Sequence, residues 1–438
     1  MTGRLNFLLN RINERLWVKP LAMCLLSIAA AFVARTADYT DLGRLVPDIT
    51  TESVNTLLSI IASSMLVIAT FSVSSMVSAY ASASSTATPR SFCLVIADDV
   101  SQNALSAFIG AFIFSIVALI AIENSYYDKA GRFTLFVMTL TIFAIVIATF
   151  VRWVDRVARL GRLGTTIDKV EAATAAAFKR RWRVPSPVGM SMASRQDGVK
   201  TVYSASIGYV QRVDITALQA FAEQTRARVE VAALPGTFAA PGRALAYVAT
   251  DSGNSSDIDT DQIEQAFLIG DDRTFDEDPR FGLIVLAEIA SRALSPGIND
   301  PGTAIDVIGT LVRLFASWAE PDEKQDARAD ECDRVAIPGL ALQDMFDDAF
   351  RPIARDGAAT IEVVVRLQKA FEALTKTADA TMRDVAMQYA RQALARAEKA
   401  LVFPLDVDIA RKCAEFTMPA ATGEIQQGIS MHSAHSDD

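Results

Sequence analysis

Residues 53–88 read Ser-Val-Asn-Thr-Leu-Leu-Ser-Ile-Ile-Ala-Ser-Ser-Met-Leu-Val-Ile-Ala-Thr-Phe-Ser-Val-Ser-Ser-Met-Val-Ser-Ala-Tyr-Ala-Ser-Ala-Ser-Ser-Thr-Ala-Thr, without a charge, a proline or a glycine. As one helix this run is about 54 Å long at 1.5 Å per residue. The hydrocarbon core of a bilayer is only about 30 Å thick, so one end must emerge. Asn55 to Val77 is mainly aliphatic and suits lipid, whereas Ser78 to Thr88 is almost all Ser, Ala and Thr. That second part is too polar for acyl chains and fits close packing against other helices, or a wet cavity. The reading is a membrane protein organised around this helix.

Upstream, Pro20 to Ala34 is uncharged and is extended by Leu16 to Val18, with Trp17 suited to the interface and Lys19 able to snorkel. A basic stretch followed by an apolar run also fits a cleaved signal peptide, but here more spans follow. Downstream, Pro89 ends the long helix, and Arg90 to Asn103 makes a short connection with Phe92, Leu94, Val95 and Ile96 able to lie at the interface. Val100 to Ile122 is the third uncharged stretch. In it Gly110 stands four residues from Ser106, a spacing that admits a neighbouring helix within one bundle or across a dimer seam. Phe133 to Val151 is the fourth span, and Arg152, Arg156, Arg159 and Arg162 follow it. Arginines also cluster before the first span, so both termini are expected in the cytoplasm, with 35–52 and 123–132 outside.

The chain has 438 residues, is 51% hydrophobic with mean hydropathy +0.25, and carries a net charge of −9. The apolar excess lies before about residue 155 and the acidity after it, which argues against nucleic acid or an anionic membrane surface as partner for the second half. Cys24, Cys93, Cys332 and Cys413 form no metal spacing and no disulfide framework, as expected in a reducing compartment. The only histidines, His432 and His435, sit in a polar tail, which argues against zinc or histidine chemistry in the folded body.

The second half reads as α+β. Thr166 to Trp182 is helical; Val202 to Val213 looks like strand, turn, strand; Ala217 to Arg226 is a helix; Arg228 to Leu234 and Ala244 to Val248 are strands separated by Pro-Gly turns. The hairpin around Pro235-Gly236 and Pro241-Gly242 weakly resembles biotinyl and lipoyl domains, but no lysine occupies a carrier turn. Asp257, Asp259 and Asp261 alternate like the start of a calcium loop, yet the glycine and closing glutamate that such a loop needs are missing. Asp261 with Glu264 fits a capping box for a short helix through Phe267 instead. Asp278-Pro279 starts an apolar helix to Leu294, on which Glu288 and Arg292 stand one turn apart and can pair. Ser295 to Gly302 is a turn, and Asp300-Pro301 starts the next helix, to about Ala316. Four further helices are expected at Leu340–Arg355, Ala358–Lys376, Ala378–Leu401 and Val407–Phe416, then a disordered tail.

Arg-Thr-Phe-x-x-Asp-x-x-Phe-Gly (Arg273 to Gly282) and Arg-Ala-Leu-Ser-Pro-Gly-Ile-Asn-Asp-Pro (Arg292 to Pro301) resemble the predicted membrane proteins grouped as domain of unknown function 2254. Pro89-Arg90 after the long second helix and Gly110 in the third span agree with that family. The resemblance implies the four-span topology and the two-part plan, and it supplies no catalytic residues.

The expected fold is thus a mainly α membrane protein: a four-helix transmembrane bundle over 1–160, then a cytoplasmic α+β domain. That domain is a small β unit over 161–250 followed by a helical region over 251–418, with a tail over 419–438. The polar groups that could converge on a ligand are Arg273, Asp278, Glu288, Arg292, Asn299 and Asp300. Capping by Asp278 and Asp300, a Glu288–Arg292 pair and a turn at Asn299 account for most of them structurally. Two helix starts beside an arginine could also hold a small anion at the 295–301 corner. Ser78, Ser82, Ser85 and Gly110 are the candidates for pore lining or helix packing. No nucleophile–base pair, phosphate loop or dinucleotide fingerprint is present, so no enzyme, cofactor or metal is expected. The functional expectation is a homo-oligomeric, facilitative pore-like protein of the bacterial inner membrane. The competing expectation is an anchored ligand-sensing or scaffold module without transport.

Overall fold

The structure is a computed structural model that describes residues 17–39, 46–86, 88–91, 93–94, 99–158, 162–182, 198–250, 258–320 and 333–418. The chain divides into two compact units, Met1–Ala177 with Thr274–Ile289, and Phe178–Arg273 with Ala290–Asp438.

The first unit begins with four helices that are long and apolar enough to cross a membrane. They are α1 (Val18–Ala34), α2 (Thr51–Thr86), α3 (Asp99–Glu123) and α4 (Lys129–Val157). The 36-residue α2 runs unbroken because nothing in it interrupts the helix. Its packed face is Val54, Leu58, Ile61, Met65, Ala69, Ser72 and Met76, at helical spacing. Val54 and Leu58 join a cluster with Phe114, Ala118 and Leu135. Ile61, Met65 and Ala69 join Phe108, Val146 and Trp153 in a second one. Gly110 lies where α3 crosses α1: a Cβ there would stand 3.2 Å from Ser27 Oγ and 3.3 Å from Met23 Cβ. The small-residue spacing on α3 therefore serves packing inside one bundle.

One end of the bundle is tied by polar groups. The Asp38 carboxylate accepts from the backbone N–H of Asp128 (3.0 Å) and Gly131 (2.6 Å), and so caps α4 from a distant part of the chain. A side chain at Gly131 would collide with that carboxylate, which explains the glycine. Tyr127 donates to the Ala31 carbonyl (2.6 Å), and the Arg35 guanidinium lies 4.0 Å above the Tyr126 ring.

Two more segments complete this unit. Helix α5 (Leu163–Trp182) contributes its residues up to Ala177, and α8 (Pro279–Ala293) contributes its first part.

The second unit holds two sheets. Its strands are β1 (Val199–Tyr203), β2 (Gly208–Val213), β3 (Ala227–Val231), β4 (Phe238–Ala239), β5 (Ala244–Thr250), β6 (Phe267–Gly270) and β7 (Val335–Ala336). One sheet has the order β1-β5-β3-β7 and the other β4-β2-β6. Helices α6 (Ile215–Thr225) and α7 (Thr260–Glu264) accompany them, and Val210, Leu218, Phe221, Val229, Leu245 and Ile263 fill one core.

Several sequence expectations change here. Val202 to Val213 does contain two strands, but they enter different sheets: β1 pairs with β5, and β2 with β4 and β6. The short helix expected through Phe267 stops at Glu264, and Phe267 opens β6. Its cap is Asp259, which accepts from Asp261 N at 3.0 Å, so the expected capping box at Asp261 is shifted by two residues. β7, which was not expected, pairs parallel to β3. Gln219 fixes it there by donating to Asp333 (2.8 Å) and accepting from Arg334 N (3.2 Å).

The rest of the unit is helical: α9 (Pro301–Ala319), α10 (Leu342–Asp356), α11 (Ile361–Thr375), α12 (Ala380–Ala400) and α13 (Pro404–Cys413). Phe315, Phe346, Phe350 and Phe371 stack at centroid distances from 4.6 to 6.4 Å and tie three of them together. Tyr389 on α12 joins them with its ring (5.3 Å from Phe346), donates to the Asp347 carboxylate and accepts from Gln343 Nε2 at 3.0 Å. Burial and the neighbouring Asp347 push its phenol well above the usual range. The basic segment before α1, Phe92, Val95 and Ile96, Arg159, Asp257 and the 419–438 tail lie outside the described residues.

Candidate functional site

The two motif segments frame α8 and the turn after it, and several of their side chains have visible local work. Asp278 is buried and its Oδ1 accepts from Phe281 N at 3.1 Å, which caps α8 ahead of Pro279. The Phe275 ring lies 4.7 Å from that of Phe281. Gly282 faces Thr174 of α5 so closely that a Cβ there would overlap the threonine hydroxyl, which itself bonds back to Val170 O at 2.6 Å. The Phe-Gly pair in the motif is therefore a packing device: an aromatic anchor, then a gap through which a second helix approaches.

Glu288 has a partner that the sequence did not suggest. Its carboxylate is paired with Arg90, the residue after the proline that ends α2, and not as expected with Arg292. Lys169 of α5 also donates to Leu94 O at 3.2 Å. The segment following α2 is thus held by both α5 and α8 within the first unit.

At the 295–301 corner the chain folds on itself. Ile298 N and Asn299 N both donate to Ser295 O (3.0 and 2.9 Å), Asp300 N donates to Ala293 O (2.8 Å), and Ser295 Oγ donates to Arg292 O (2.7 Å). Asn299 sits at φ 51°, a left-handed position that asparagine tolerates. Asp300 caps α9, accepting from Thr303 N at 3.1 Å and from Thr303 Oγ1 at 2.6 Å. Those bonds from Thr303 hold its carboxyl below the usual range. Both helix N-termini are therefore already occupied by a carboxylate of the chain itself. Of the six candidates, Asp278 and Glu288 fall in the first unit, and Arg273, Arg292, Asn299 and Asp300 in the second. Within the second unit the turn joins Arg292, Asn299 and Asp300 in one short corner.

On α2, Ser78 and Ser82 are exposed on the bundle, while the side chain of Ser85 lies outside the described residues. Their surroundings extend the pattern upward. The face of α2 turned away from the bundle carries Thr56, Ser59, Ser63, Thr70 and Ser74, all exposed or partly so, in a stripe that continues to Ser78. Leu66, Val73 and Val77 lie along one side, Ile60 and Phe71 along the other, and the exposed Val67 interrupts the stripe between Ser63 and Thr70. Sequence reasoning placed the polar character only beyond Ser78, because the aliphatic residues interleaved along 55–77 hide the stripe in a linear reading.

Four membrane-length apolar helices followed by a mixed α/β region define a predicted multi-pass membrane protein. The chain belongs to the family described as "Predicted membrane protein (DUF2254)", whose profile matches residues 13–373. An uncharacterised protein of Mycobacterium tuberculosis (strain CDC 1551 / Oshkosh) is 34% identical over 130 residues, 28% of this chain and 25% of that protein. An uncharacterised protein of Mycobacterium bovis (strain ATCC BAA-935 / AF2122/97) is 33% identical over 130 residues, with the same shares. The match thus spans a quarter of the length of these relatives. No solved structure matches the chain.

Proposed function

We propose that this protein is a non-enzymatic, homo-oligomeric, facilitative pore-like protein of the bacterial inner membrane. Both termini and the region after α4 lie in the cytoplasm, and the cytoplasmic part regulates the path. The observation that carries this reading is the hydroxyl stripe on the outward face of α2. A face that meets only lipid has no use for Thr56, Ser59, Ser63, Thr70, Ser74 and Ser78 in register, whereas a path between copies needs neutral donors and acceptors. The stripe holds no acid or base, so it suits passive movement of a solute and not proton coupling.

A cysteine scan of 56–82 in a background lacking the native cysteines tests it, with the chain in vesicles. Water-borne thiol reagents are expected to label positions 59, 63, 70, 74 and 78 with helical periodicity and to block solute flux. Labelling confined to the helix end, with particles that are monomeric, would overturn the pore.

A second reading, an anchored sensing or scaffold module, is favoured by one detail. Ser63 donates to Ser59 O and Thr70 to Leu66 O, both at 2.9 Å, which lowers the cost of facing lipid. A small anion bound at the 295–301 corner would be the sensed ligand, in competition with the Asp300 carboxylate. Thermal stabilisation by phosphate that disappears in Arg292→Ala would support it.

A further inference from the structure

We infer that the interior of each four-helix bundle holds a small polar site between α2, α3 and α4, occupied by water or by a small neutral solute bearing an acceptor oxygen. Six hydroxyls elsewhere in these helices bond back to their own helix. Ser63, Thr70, Ser106, Ser115, Thr139 and Thr141 each donate to the carbonyl four residues earlier, at 2.7 to 2.9 Å. Ser72 makes no such bond. Its side chain is 0% exposed, on the packed face of α2, and its Oγ has no hydrogen-bond partner among the described residues.

Trp153 on α4 is 1% exposed, and its indole N–H is likewise without a partner among the described residues. Its contacts put it at the level of Ala69 and Phe71, the turn of α2 that carries Ser72. Trp153 lies in the same cluster as Ala69 and Ala104, with its ring 6.1 Å from Phe71 and 6.0 Å from Phe108. Ser72 is one turn beyond Ala69 on the same face, and the wholly buried Ser101 is one turn before Ala104. Leaving a buried donor unmet costs its full desolvation penalty, and two orphans at one level add theirs. A shared occupant removes it.

The chemistry of the two groups selects that occupant. An indole N–H only donates, so the occupant must present an acceptor; a serine hydroxyl can give or take. The rings around Trp153, chiefly the buried Phe108, carry no charge to balance an ion, which makes the occupant neutral. The site faces the bundle interior, on the side of α2 opposite the hydroxyl stripe, so it does not depend on the pore reading.

The test uses the full chain in detergent or nanodiscs, with ¹⁵N-labelled tryptophan and the indole signal of Trp153 assigned by its loss in Trp153→Phe. The Trp153 indole N–H is expected to exchange rapidly in D₂O although the ring is buried, and exchange should slow in Ser72→Val. Cysteine at position 72 is expected to react with methyl methanethiosulfonate faster than cysteine at the dry neighbouring position 69. Protection of that reaction by glycerol identifies a solute-admitting site; rapid exchange without protection identifies a water site. An indole protected from exchange, together with an unreactive Ser72→Cys, overturns the inference, and the exchange itself is read on the wild-type chain.

Discussion

Gly282 shows how much one missing side chain does. Its Cα lies against Thr174, and a methyl group there must push the two helices apart. Gly282→Ala is expected to destabilise the protein by about 1–3 kcal/mol through overpacking. Thr174→Ala should recover part of that loss, a non-additivity that a double-mutant cycle in denaturant measures. Asp300 acts through charge and hydrogen bonds. Asp300→Ala is expected to cost about 1 kcal/mol as a lost cap, and Asp300→Asn much less. The pH dependence has a defined sign. Because Thr303 lowers the folded-state pKa of Asp300, its contribution is present above the unfolded carboxylate range and is lost as pH falls through the lower folded value. Asp356, lowered chiefly by Arg355, contributes in the same direction. Thermal melts across the acid limb should therefore fall for the wild type and be flatter for Asp300→Asn. These caps were legible in the sequence, since Asp-Pro at 278–279 and 300–301 has a local mechanism. The partner of Glu288 was not legible, because Arg90 stands 198 residues away and only the fold brings it near.

At the scale of elements, length and composition settled the long helices and failed on the short strands. α2 was readable to within two residues because 36 positions contain no breaker. β4 and β7 have two residues each, too few for alternation to register, and they exist because a neighbouring strand offers them a ladder. β6 was misread because a cap placed two residues late carried the helix into Phe267. The Arg90–Glu288 pair links elements that the sequence treats separately, the end of α2 and the middle of α8. Its side chains are 55% and 33% exposed, so solvent screens it. A double-mutant cycle on Arg90→Ala and Glu288→Ala is expected to give a coupling of about 0–1 kcal/mol. The exchanged pair Arg90→Glu with Glu288→Arg should restore most of what either single change loses. A coupling several times larger would mean that the pair organises the segment after α2 beyond its own Coulomb term.

For the whole molecule, the distribution of charge around the four spans makes the strongest claim. Arg152 and Arg156 lie in the last turns of α4 and Arg162 follows it, with Asp155 as the one acid among them. The first sixteen residues carry Arg4, Arg11 and Arg15 against Glu14 alone. The segments joining α1 to α2 and α3 to α4 hold only two basic residues each, Arg35 with Arg44 and Lys129 with Arg132. Basic residues resist translocation, and acidic ones count for little, so the arginine-rich flanks should stay on the cytoplasmic side. Reporter fusions after residue 19, within 89–103 and after 160 are expected to read cytoplasmic, and fusions within 35–52 and 123–132 external. Adding arginines to the 123–132 loop should disturb this pattern, because the bias that sets orientation would then be shared between the two sides. An external reading for the fusion after 160 would invert the bundle. It would also place the α/β region on the external side.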